Sequence, residues 1–411
     1  MPSDTEVAVI GGGAAGIAAA RRLTDAGVPC LLIEARNRLG GRAYTVHHDG
    51  HGVDLGCGWL HSAETNPFVH IAEQQGRRID RSTPAWGRPA LERNFPLADQ
   101  RDYQQAMAAY FERLSELAER DVDVSCAAAF EPGNRWNGLI GAVVSYISGG
   151  DAVRVSARDF ENYAGTDVNW RVAEGYGTVI AAVADGLDVA RETVVERIDH
   201  SGARLRIATN RGTIDAARVI VTLPTDILAA RDDLFLPALP QKTEAAAGLP
   251  LGLADKLYLR LENAEEFGRD TRVFGRLDTK DTASYTIRPQ SRPHIEGYFG
   301  NGRAAELEKG GVQAFVDFAV SQLANVFGSD FKKRLSLLDM HLWASDPFAR
   351  GSYSFALPGR VDCRQTLAAP VDGRLFFAGE ACSKLDFSTA HGAYLTGLAA
   401  AEQVLAARKR G

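Results

Sequence analysis

The sequence has few cysteines and no long apolar run. Its 411 residues contain five cysteines, scattered and without C-x-x-C spacing, which indicates neither a disulfide framework nor a zinc site. No apolar run has the 18 or more residues of a membrane-spanning helix. The N-terminus also lacks the basic and apolar regions of a signal peptide, so we expect a cytoplasmic protein. A formal net charge of −6 offers no basic surface for nucleic acid.

The stretch 7–42 has the pattern of a dinucleotide-binding unit. Its apolar run VAVI predicts a parallel strand buried on both faces, and three glycines in G-x-G-x-x-G spacing follow directly. In such a turn the glycines permit a tight bend, close approach to a pyrophosphate and close packing of the next helix. The N–H groups at the start of that alanine-rich helix then point at the phosphates. The predicted phosphate-binding residues are Gly11, Gly13, Ala14, Ala15 and Gly16.

A second apolar strand ends in Glu34. An acid about 20 residues beyond the glycines binds ribose hydroxyls and disfavours a 2′-phosphate. Strand, glycines, helix, strand and acid within about 30 residues are a much stronger signal than the glycines alone. The alternative is a structural turn that binds no ligand.

The next residues, ARNRLGGRAYT, resemble the second fingerprint of the flavin amine oxidase family. That family includes monoamine oxidases, polyamine oxidases and lysine-specific histone demethylases. The resemblance implies FAD as cofactor, and guanidinium groups beside paired glycines suit a pyrophosphate. It assigns FAD binding here to Ala35, Arg36, Gly40, Gly41 and Arg42.

Further motifs of this family recur along most of the chain. In VDLGCGWLHSAETNP, the W-L-H spacing resembles polyamine oxidases, in which the histidine matching His61 lines the substrate channel. The alternative for His61 is a surface loop. The resemblance assigns further FAD-binding positions to Gly56, Gly58, Trp59, Val195, Trp343, Gly379, Glu380, Thr389 and Ala390.

The catalytic assignments also rest on the resemblance. Lys256, in PLGLADKLYLR, matches a lysine that is hydrogen-bonded through water to the flavin N5; the alternative is an edge-strand lysine that extends to solvent. Trp343 and Tyr353 match active-site aromatics. Ser352 stands where monoamine oxidases carry a cysteine bound to FAD, so we expect non-covalent FAD. Thr389 replaces the second tyrosine of the monoamine oxidase cage, which implies a polyamine-like or demethylase-like pocket.

We expect an α/β protein, α+β overall, with a Rossmann-like FAD-binding domain of the glutathione-reductase and amine-oxidase type. Residues 1–80, 165–248 and 345–411 form this domain, and residues 81–164 and 249–344 form an inserted mixed substrate domain. The implied reaction oxidises a C–N bond of a polyamine-like amine to an imine, which water hydrolyses. Dioxygen reoxidises the flavin and yields hydrogen peroxide. The expected partners are a small amine and dioxygen, without nucleic acid or membrane.

Three other functions stay open. An L-amino acid oxidase shares most motifs and needs a cation for the substrate carboxylate, for which Arg276 and Arg288 are candidates. A carotenoid-type desaturase shares the nucleotide fingerprint but is not expected to carry Lys256 with the G-S-Y-S and HGAY blocks. A non-enzymatic flavoprotein scaffold has no need of Lys256 and the flavin-facing motifs.

Three histidines cluster around a predicted hairpin turn at Asp49 and Gly50. A hairpin tip is solvated, and no carboxylate or cysteine completes a ligand set, so we expect no metal. These histidines are His47, His48 and His51.

Overall fold

The computed structural model describes residues 3–409. The strands, in chain order, are β1 (Asp4–Ile10), β2 (Cys30–Ile33), β3 (Thr45–His48), β4 (His51–Asp54), β5 (Ile79–Asp80), β6 (Arg171–Val172), β7 (Val189–Ala190), β8 (Val195–Asp199), β9 (Leu205–Thr209), β10 (Gly212–Val221), β11 (Phe235–Leu236), β12 (Ala254–Leu261), β13 (Thr271–Phe274), β14 (Ser284–Ile287), β15 (His294–Gly300), β16 (Leu335–Met340) and β17 (Leu375–Phe377).

Helices connect and cover these strands. They are α1 (Ala14–Asp25), α2 (Pro67–Gln74), α3 (Leu97–Ala118), α4 (Asn137–Ser148), α5 (Ala157–Glu161), α6 (Tyr176–Ala182), α7 (Thr225–Ala229), α8 (Pro240–Ala247), α9 (Asn301–Lys309), α10 (Gly311–Phe327), α11 (Cys363–Ala368) and α12 (Ala390–Arg408). Among residues 3–409, none of the helices combines the length and apolarity needed to cross a membrane.

The first sheet is built around β1, which pairs in parallel with β2 on one side and with β10 on the other. The strand order is β11-β8-β9-β10-β1-β2-β7, and β17 also pairs with β10. Val7, Ala8 and Val9 are fully buried, which confirms the two-sided burial predicted from the apolar run. Strands β8, β9 and β10 follow one another in the chain and are joined by antiparallel pairing.

The N-terminal and C-terminal helices, α1 and α12, pack directly against one another on this sheet. The contact is close because small residues meet there. A Cβ atom added at Gly397 of α12 would lie 2.1 Å from the carbonyl oxygen of Ala15 in α1. Helix α12 therefore packs directly against α1, although the two helices are far apart in the sequence.

The second sheet is antiparallel, with the order β13-β14-β15-β12-β16. Phe299 and Phe315 pack together in the hydrophobic core between this sheet and α10. Lys256 lies on β12, which has a neighbour on each side. The edge-strand alternative for Lys256 is therefore wrong.

A helical block formed by α3, α4 and α5 packs on the second sheet, where Phe274 of β13 belongs to the same core as α3 and α4. Tyr110, Leu114 and Leu117 of α3 are buried, and their spacing of three and four residues places them on one face of the helix. The sequence did not single out β13 and β16 as strands. The edge strand β16 is half-exposed, so it lacks a continuous buried apolar pattern.

The predicted hairpin is formed by β3 and β4. Asp49 and Gly50 have positive φ angles of 50° and 77°, as a type I′ turn requires. His48 Nε2 lies 2.7 Å from Asp339 Oδ2, which gives this histidine a carboxylate partner. Within residues 3–409, no three His, Cys, Asp or Glu side chains are grouped to hold a metal ion.

Candidate active site

One cavity of about 740 Å³ extends from the glycine turn after β1 to the face of β12. Its lining includes every predicted site residue except Gly16. A Cβ atom at Gly16 would lie only 1.8 Å from the carbonyl oxygen of Gly11, so this glycine allows α1 to pack close to the turn. That is the role expected of the third glycine in the motif.

The glycine turn is shaped to receive a phosphate. Gly11 has a φ of +104°, and a side chain there would meet Thr222 at 2.6 Å. A Cβ atom at Gly13 would meet nothing within 4 Å, so the backbone lies open to the cavity. The first turn of α1 has no acidic residue, and no side chain caps its N–H groups. These free N–H groups suit an anionic ligand.

Glu34 is buried beside this turn, and backbone N–H groups fix its carboxylate. Its Oε2 accepts from Gly12 N at 2.6 Å, and its Oε1 accepts from Arg36 N at 2.7 Å. The Arg36 side chain is held in turn by Asp346, with Nη2 and Oδ1 2.6 Å apart. The acid and the guanidinium are thus oriented by the fold itself.

Arg42 and Glu380 form a second fixed pair at the cavity wall. Arg42 Nη1 donates to Glu380 Oε1 at 2.9 Å and to the carbonyl oxygen of Ser352 at 2.8 Å. Glu380 Oε2 accepts from Ser354 Oγ at 2.6 Å. Burial acts to raise the pKa of Glu380, but the Arg42 charge and the Ser354 hydrogen bond outweigh it, so the net pKa is lowered.

Helix α12 begins at the cavity. Thr389 caps it by accepting from Gly392 N at 2.9 Å, and its hydroxyl donates to the carbonyl oxygen of Asp386 at 2.6 Å. Thr389 and Ala390 both line the cavity. A helix N-terminus carries partial positive charge, which favours negative charge in the adjacent space.

These features fit FAD. The cradle offers glycine backbone and helix N–H groups for a diphosphate, and Glu34 offers oxygens for ribose hydroxyls. Ser352 lines the cavity, and its hydroxyl donates to the carbonyl oxygen of Ala254 at 2.9 Å. Cys57 also lines it, but burial raises the pKa of this thiol to about 12 and so keeps it protonated. Neither side chain offers a thiolate for a covalent bond.

Lys256 is 6% exposed and reaches the cavity from the middle of the second sheet. Its Nζ donates to the carbonyl oxygen of Asp54 at 3.3 Å and lies 3.9 Å from Glu296 Oε1. A Cβ atom at Gly58 would lie 3.2 Å from Nζ, so this glycine leaves room for the ammonium group. The buried lysine thus has polar partners.

Glu296 has a second cationic neighbour, Arg171, whose Nη2 donates to Glu296 Oε2 at 2.8 Å. Burial acts to raise the pKa of Glu296, but the charges of Arg171 and Lys256 outweigh it and lower the net pKa. The Arg171 guanidinium also lies 4.1 Å from the ring centre of Trp59. Glu296 is therefore ionised and neutralised within the cavity.

Two tyrosines place neutral hydroxyl groups in the cavity. Tyr353 OH donates to the carbonyl oxygen of Tyr146 at 2.6 Å, so Tyr298 OH, 3.0 Å away, donates to Tyr353. Burial raises the pKa of Tyr298 to about 12 and that of Tyr353 well above its ordinary value. Trp343 is also buried, and its Nε1 donates to the carbonyl oxygen of Leu55 at 3.0 Å.

His61 lines the cavity, which is against the surface-loop alternative. A bridge between Leu60 and Trp170 brings it beside Asn169, and His61 Nδ1 lies 2.6 Å from Asn169 Oδ1. Because that oxygen only accepts, Nδ1 donates and Nε2 is left as an acceptor. Burial lowers the pKa of His61 to about 4, so the ring is neutral at physiological pH.

The sequence analysis missed several polar side chains of this cavity. Glu296 and Tyr298 alternate along β15, and alternate residues of a strand face the same side. Their position in a strand that pairs with the Lys256 strand was a usable signal, but the pairing itself is not visible in the sequence. The missed residues are Tyr146, Asn169, Arg171, Arg272, Glu296 and Tyr298.

The two arginines suggested for a substrate carboxylate lie outside the cavity. Arg276 is exposed and pairs with Asp278 at 2.7 Å, and Arg288 donates to the carbonyl oxygen of Phe267 at 2.6 Å. Neither lines the cavity. The structure therefore contradicts both as carboxylate-binding residues of this site.

Comparison with known proteins agrees with this geometry. The family model of flavin-containing amine oxidoreductases matches residues 14–143 and 155–405. The chain is 31% identical to polyamine oxidase 2 of Arabidopsis thaliana and 31% identical to polyamine oxidase 3 of Oryza sativa subsp. japonica. Each alignment covers 96% of this chain, and they cover 87% and 88% of the two relatives, respectively.

Solved structures show the same fold. A putrescine oxidase variant with a redesigned cofactor-binding site superimposes with a TM-score of 0.77 at 19% identity, covering 98% of this chain and 99% of that one. The chain belongs to the flavin-containing amine oxidoreductase family. It is an oxidoreductase that acts on amines, with FAD as its cofactor and the predicted FAD-binding amine oxidase fold.

Proposed function

We propose that this protein is an amine oxidase that converts an amine to an imine and uses dioxygen as electron acceptor, releasing hydrogen peroxide. The observation that carries the proposal is one continuous cavity that joins the dinucleotide cradle to the buried Lys256. When bound, FAD accepts a hydride equivalent from the carbon next to the amine nitrogen. Water then hydrolyses the imine. A cytoplasmic location is part of the proposal.

The protein groups supply positioning rather than a nucleophile. Lys256 holds a water molecule beside the reacting centre, and Tyr353 and Trp343 form walls against the substrate. His61 accepts a hydrogen bond from a substrate N–H at Nε2, because Asn169 holds its Nδ1. Thr389 presents the N-terminus of α12 to the flavin. The rest of FAD is bound by the predicted glycines, by Glu34 and by the two arginines Arg36 and Arg42.

The same proposal divides the chain into a discontinuous FAD-binding domain and a substrate domain, with the boundaries given by the sequence. It is supported by the two large sheets, which share no strand. All strands of the first sheet fall in the FAD-binding ranges, and all strands of the second fall within 249–344.

Two substrate classes have support. The names of the two plant relatives favour a polyamine. The charges of the cavity lining favour an amine with an anionic group at its far end, because each lining carboxylate already has a cationic partner within the chain. A metal or nucleic acid has no part in either reaction.

Anaerobic stopped-flow mixing tests the proposal. The purified yellow protein is mixed with polyamines, alkylamines, amino carboxylates and L-amino acids, and loss of flavin absorbance identifies a substrate. Air is then admitted, and recovery of absorbance with one hydrogen peroxide per turnover supports an oxidase. An unbleached flavin with every amine, or bleaching without reoxidation by air, contradicts the proposed activity.

A further inference from the structure

The floor of the substrate part of the cavity is one face of the second sheet. Lys256 on β12 is opposite Tyr298 on β15, which is opposite Ser284 on β14. Glu296 is opposite Thr286, which is opposite Arg272 on β13. Directly opposed residues project from the same face of a sheet, and all six line the cavity.

Arg272 lies at the far end of this floor. Neighbouring strands are about 4.8 Å apart, so β13 is roughly 10 Å from the Glu296 strand and roughly 14 Å from the Lys256 strand. Its Nη1 donates to the carbonyl oxygen of Trp86 at 3.2 Å, and its guanidinium lies 4.5 Å from the ring centre of Phe274. Trp86 is 45% exposed, which puts Arg272 near the mouth of the cavity.

The cations and anions of the lining are not balanced. Four carboxylates line the cavity, and each lies within 4 Å of a cation of the same chain. These pairs are Glu34 with Arg36 (3.9 Å), Asp159 with Arg364 (2.8 Å), Glu296 with Arg171 (2.8 Å) and Glu380 with Arg42 (2.9 Å). Among residues 3–409, the lining therefore offers no unpaired carboxylate to a second ammonium group of a substrate.

Arg272 differs from the arginines of these ion pairs. Within residues 3–409, no carboxylate lies at ion-pair distance from its guanidinium, although burial lowers its pKa and makes an unpaired charge costly. The nearby hydroxyls of Ser284 and Thr286 also make no hydrogen bond inside that part of the chain. A cation and two free hydroxyl groups on one floor are suited to an anionic ligand.

We propose that Arg272 binds a carboxylate at the far end of the substrate, with Ser284 and Thr286 as further hydrogen-bond donors. The inference rests on the proposed amine oxidation and specifies its substrate. The substrate is an extended amino carboxylate whose amine lies beside Lys256 while its carboxylate lies near the mouth. It is not an α-amino acid, because the nitrogen and carboxylate of an α-amino acid are bonded to one carbon and do not span two or three strands.

The test uses three compounds with the same eight-carbon chain. 8-Aminooctanoate, octylamine and 1,8-diaminooctane differ only in the far group, which is anionic, neutral or cationic. We expect kcat/KM for flavin reduction to be about 10–100-fold higher for 8-aminooctanoate than for octylamine, as for one hydrogen-bonded charge pair. We expect 1,8-diaminooctane to be the poorest of the three.

Arg272→Gln removes the charge and keeps a donor for the Trp86 carbonyl oxygen. It should abolish the advantage of 8-aminooctanoate mainly by raising its KM, so that 8-aminooctanoate and octylamine react with similar kcat/KM. Arg272→Lys should restore part of the advantage. Arg276→Gln is the matched control, because that arginine lies outside the cavity. If Arg272 has only a structural role, Arg272→Gln should lower kcat/KM for all three compounds by the same factor. If Arg272→Gln does not fold, Thr286→Val tests the same subsite.

The outcomes separate the inference from the proposed function. If the diamine or spermidine is the best substrate and Arg272→Gln leaves the order of the three compounds unchanged, amine oxidation stands and the carboxylate subsite is overturned. If no amine bleaches the flavin, whatever its far group, the proposed function fails and the inference with it. Bleaching by L-alanine but not by 8-aminooctanoate would also overturn the inference.

Discussion

Lys256 Nζ lies 3.9 Å from Glu296 Oε1, on directly adjacent strands of the second sheet. Arg171 holds the other oxygen of the same carboxylate at 2.8 Å. One carboxylate is therefore shared by two buried cations, and either cation would lose this anionic partner if it moved away.

The Lys256→Met variant should retain FAD and fold, because methionine keeps the unbranched shape and most of the length of the side chain. It should slow one flavin half-reaction by about 10²–10⁴-fold, since it removes the group that positions water. Stopped-flow absorbance measures reduction and reoxidation separately. Lys280→Met is the control, because Lys280 is an exposed lysine paired with Asp151. Unchanged rates of both half-reactions would reduce Lys256 to a structural residue.

The Glu296→Gln variant should be less stable than the unmodified protein. Losing one partner of a buried ion pair typically costs about 3–5 kcal/mol, because the other charge stays buried without compensation. Urea unfolding at pH 7 measures the difference. The double variant Arg171→Met with Glu296→Gln should recover part of the lost free energy of unfolding. Equal urea midpoints for Glu296→Gln and the unmodified protein would show that the ion pair is not desolvated.

FAD should leave the protein on denaturation, because Ser352 stands at the wall of the cavity and the Cys57 thiol there is protonated. Precipitation with acid followed by centrifugation is the measurement. All yellow colour is expected in the supernatant. A yellow pellet would mean a covalent link to some other side chain.

The rate of flavin reduction should rise with pH, since the amine must lose its proton before its carbon is oxidised. His61 should add no ionisation between pH 5 and 9, because its pKa is lowered to about 4. His61→Ala should raise KM more than it lowers kcat, as expected for a residue that orients the substrate. A pH profile in which His61→Ala removes an ionisation near pH 6.5 would contradict the neutral histidine.

His294 provides a test of acid sensitivity away from the proposed chemistry. Burial lowers its pKa from 6.5 to about 4, so the unfolded chain binds its proton first as the pH falls. Stability is therefore lost between about pH 6.5 and 4. Between pH 7 and 5 this histidine should account for about 2 kcal/mol. Between pH 7 and 5, the free energy of unfolding of His294→Gln should fall by about 2 kcal/mol less than that of the unmodified protein. The same pH dependence for both proteins would contradict the lowered pKa of His294.

The dinucleotide cradle was predictable because its signal is local. The tight turn, the helix start and Glu34 follow one another within one short unit, and each residue type has a backbone reason. Lys256 was predictable only through the family motif, although burial in a central strand is what makes it chemically special.

The substrate side of the cavity was not predictable, because it depends on register between distant segments. Arg171 and Glu296 form an ion pair although they belong to distant segments of the chain. The sequence of neither segment predicts this contact. The sequence analysis named Arg276 as a candidate and missed Arg272, which lies only four residues earlier. Strand β13 ends at Phe274, so Arg272 lies on the sheet and Arg276 lies beyond it, and the sequence does not show where this strand ends.

Because Gly397 packs closely on Ala15, the FAD site joins two segments that are synthesised at different times. Glu34 of the cradle is translated well before Thr389 and α12, which complete the cavity. At 5–20 residues per second, the intervening segment takes roughly 20–70 s to synthesise. Until α12 is made, a nascent chain lacks the part of the FAD site that Thr389 and Ala390 form, so stable cofactor insertion follows the synthesis of α12.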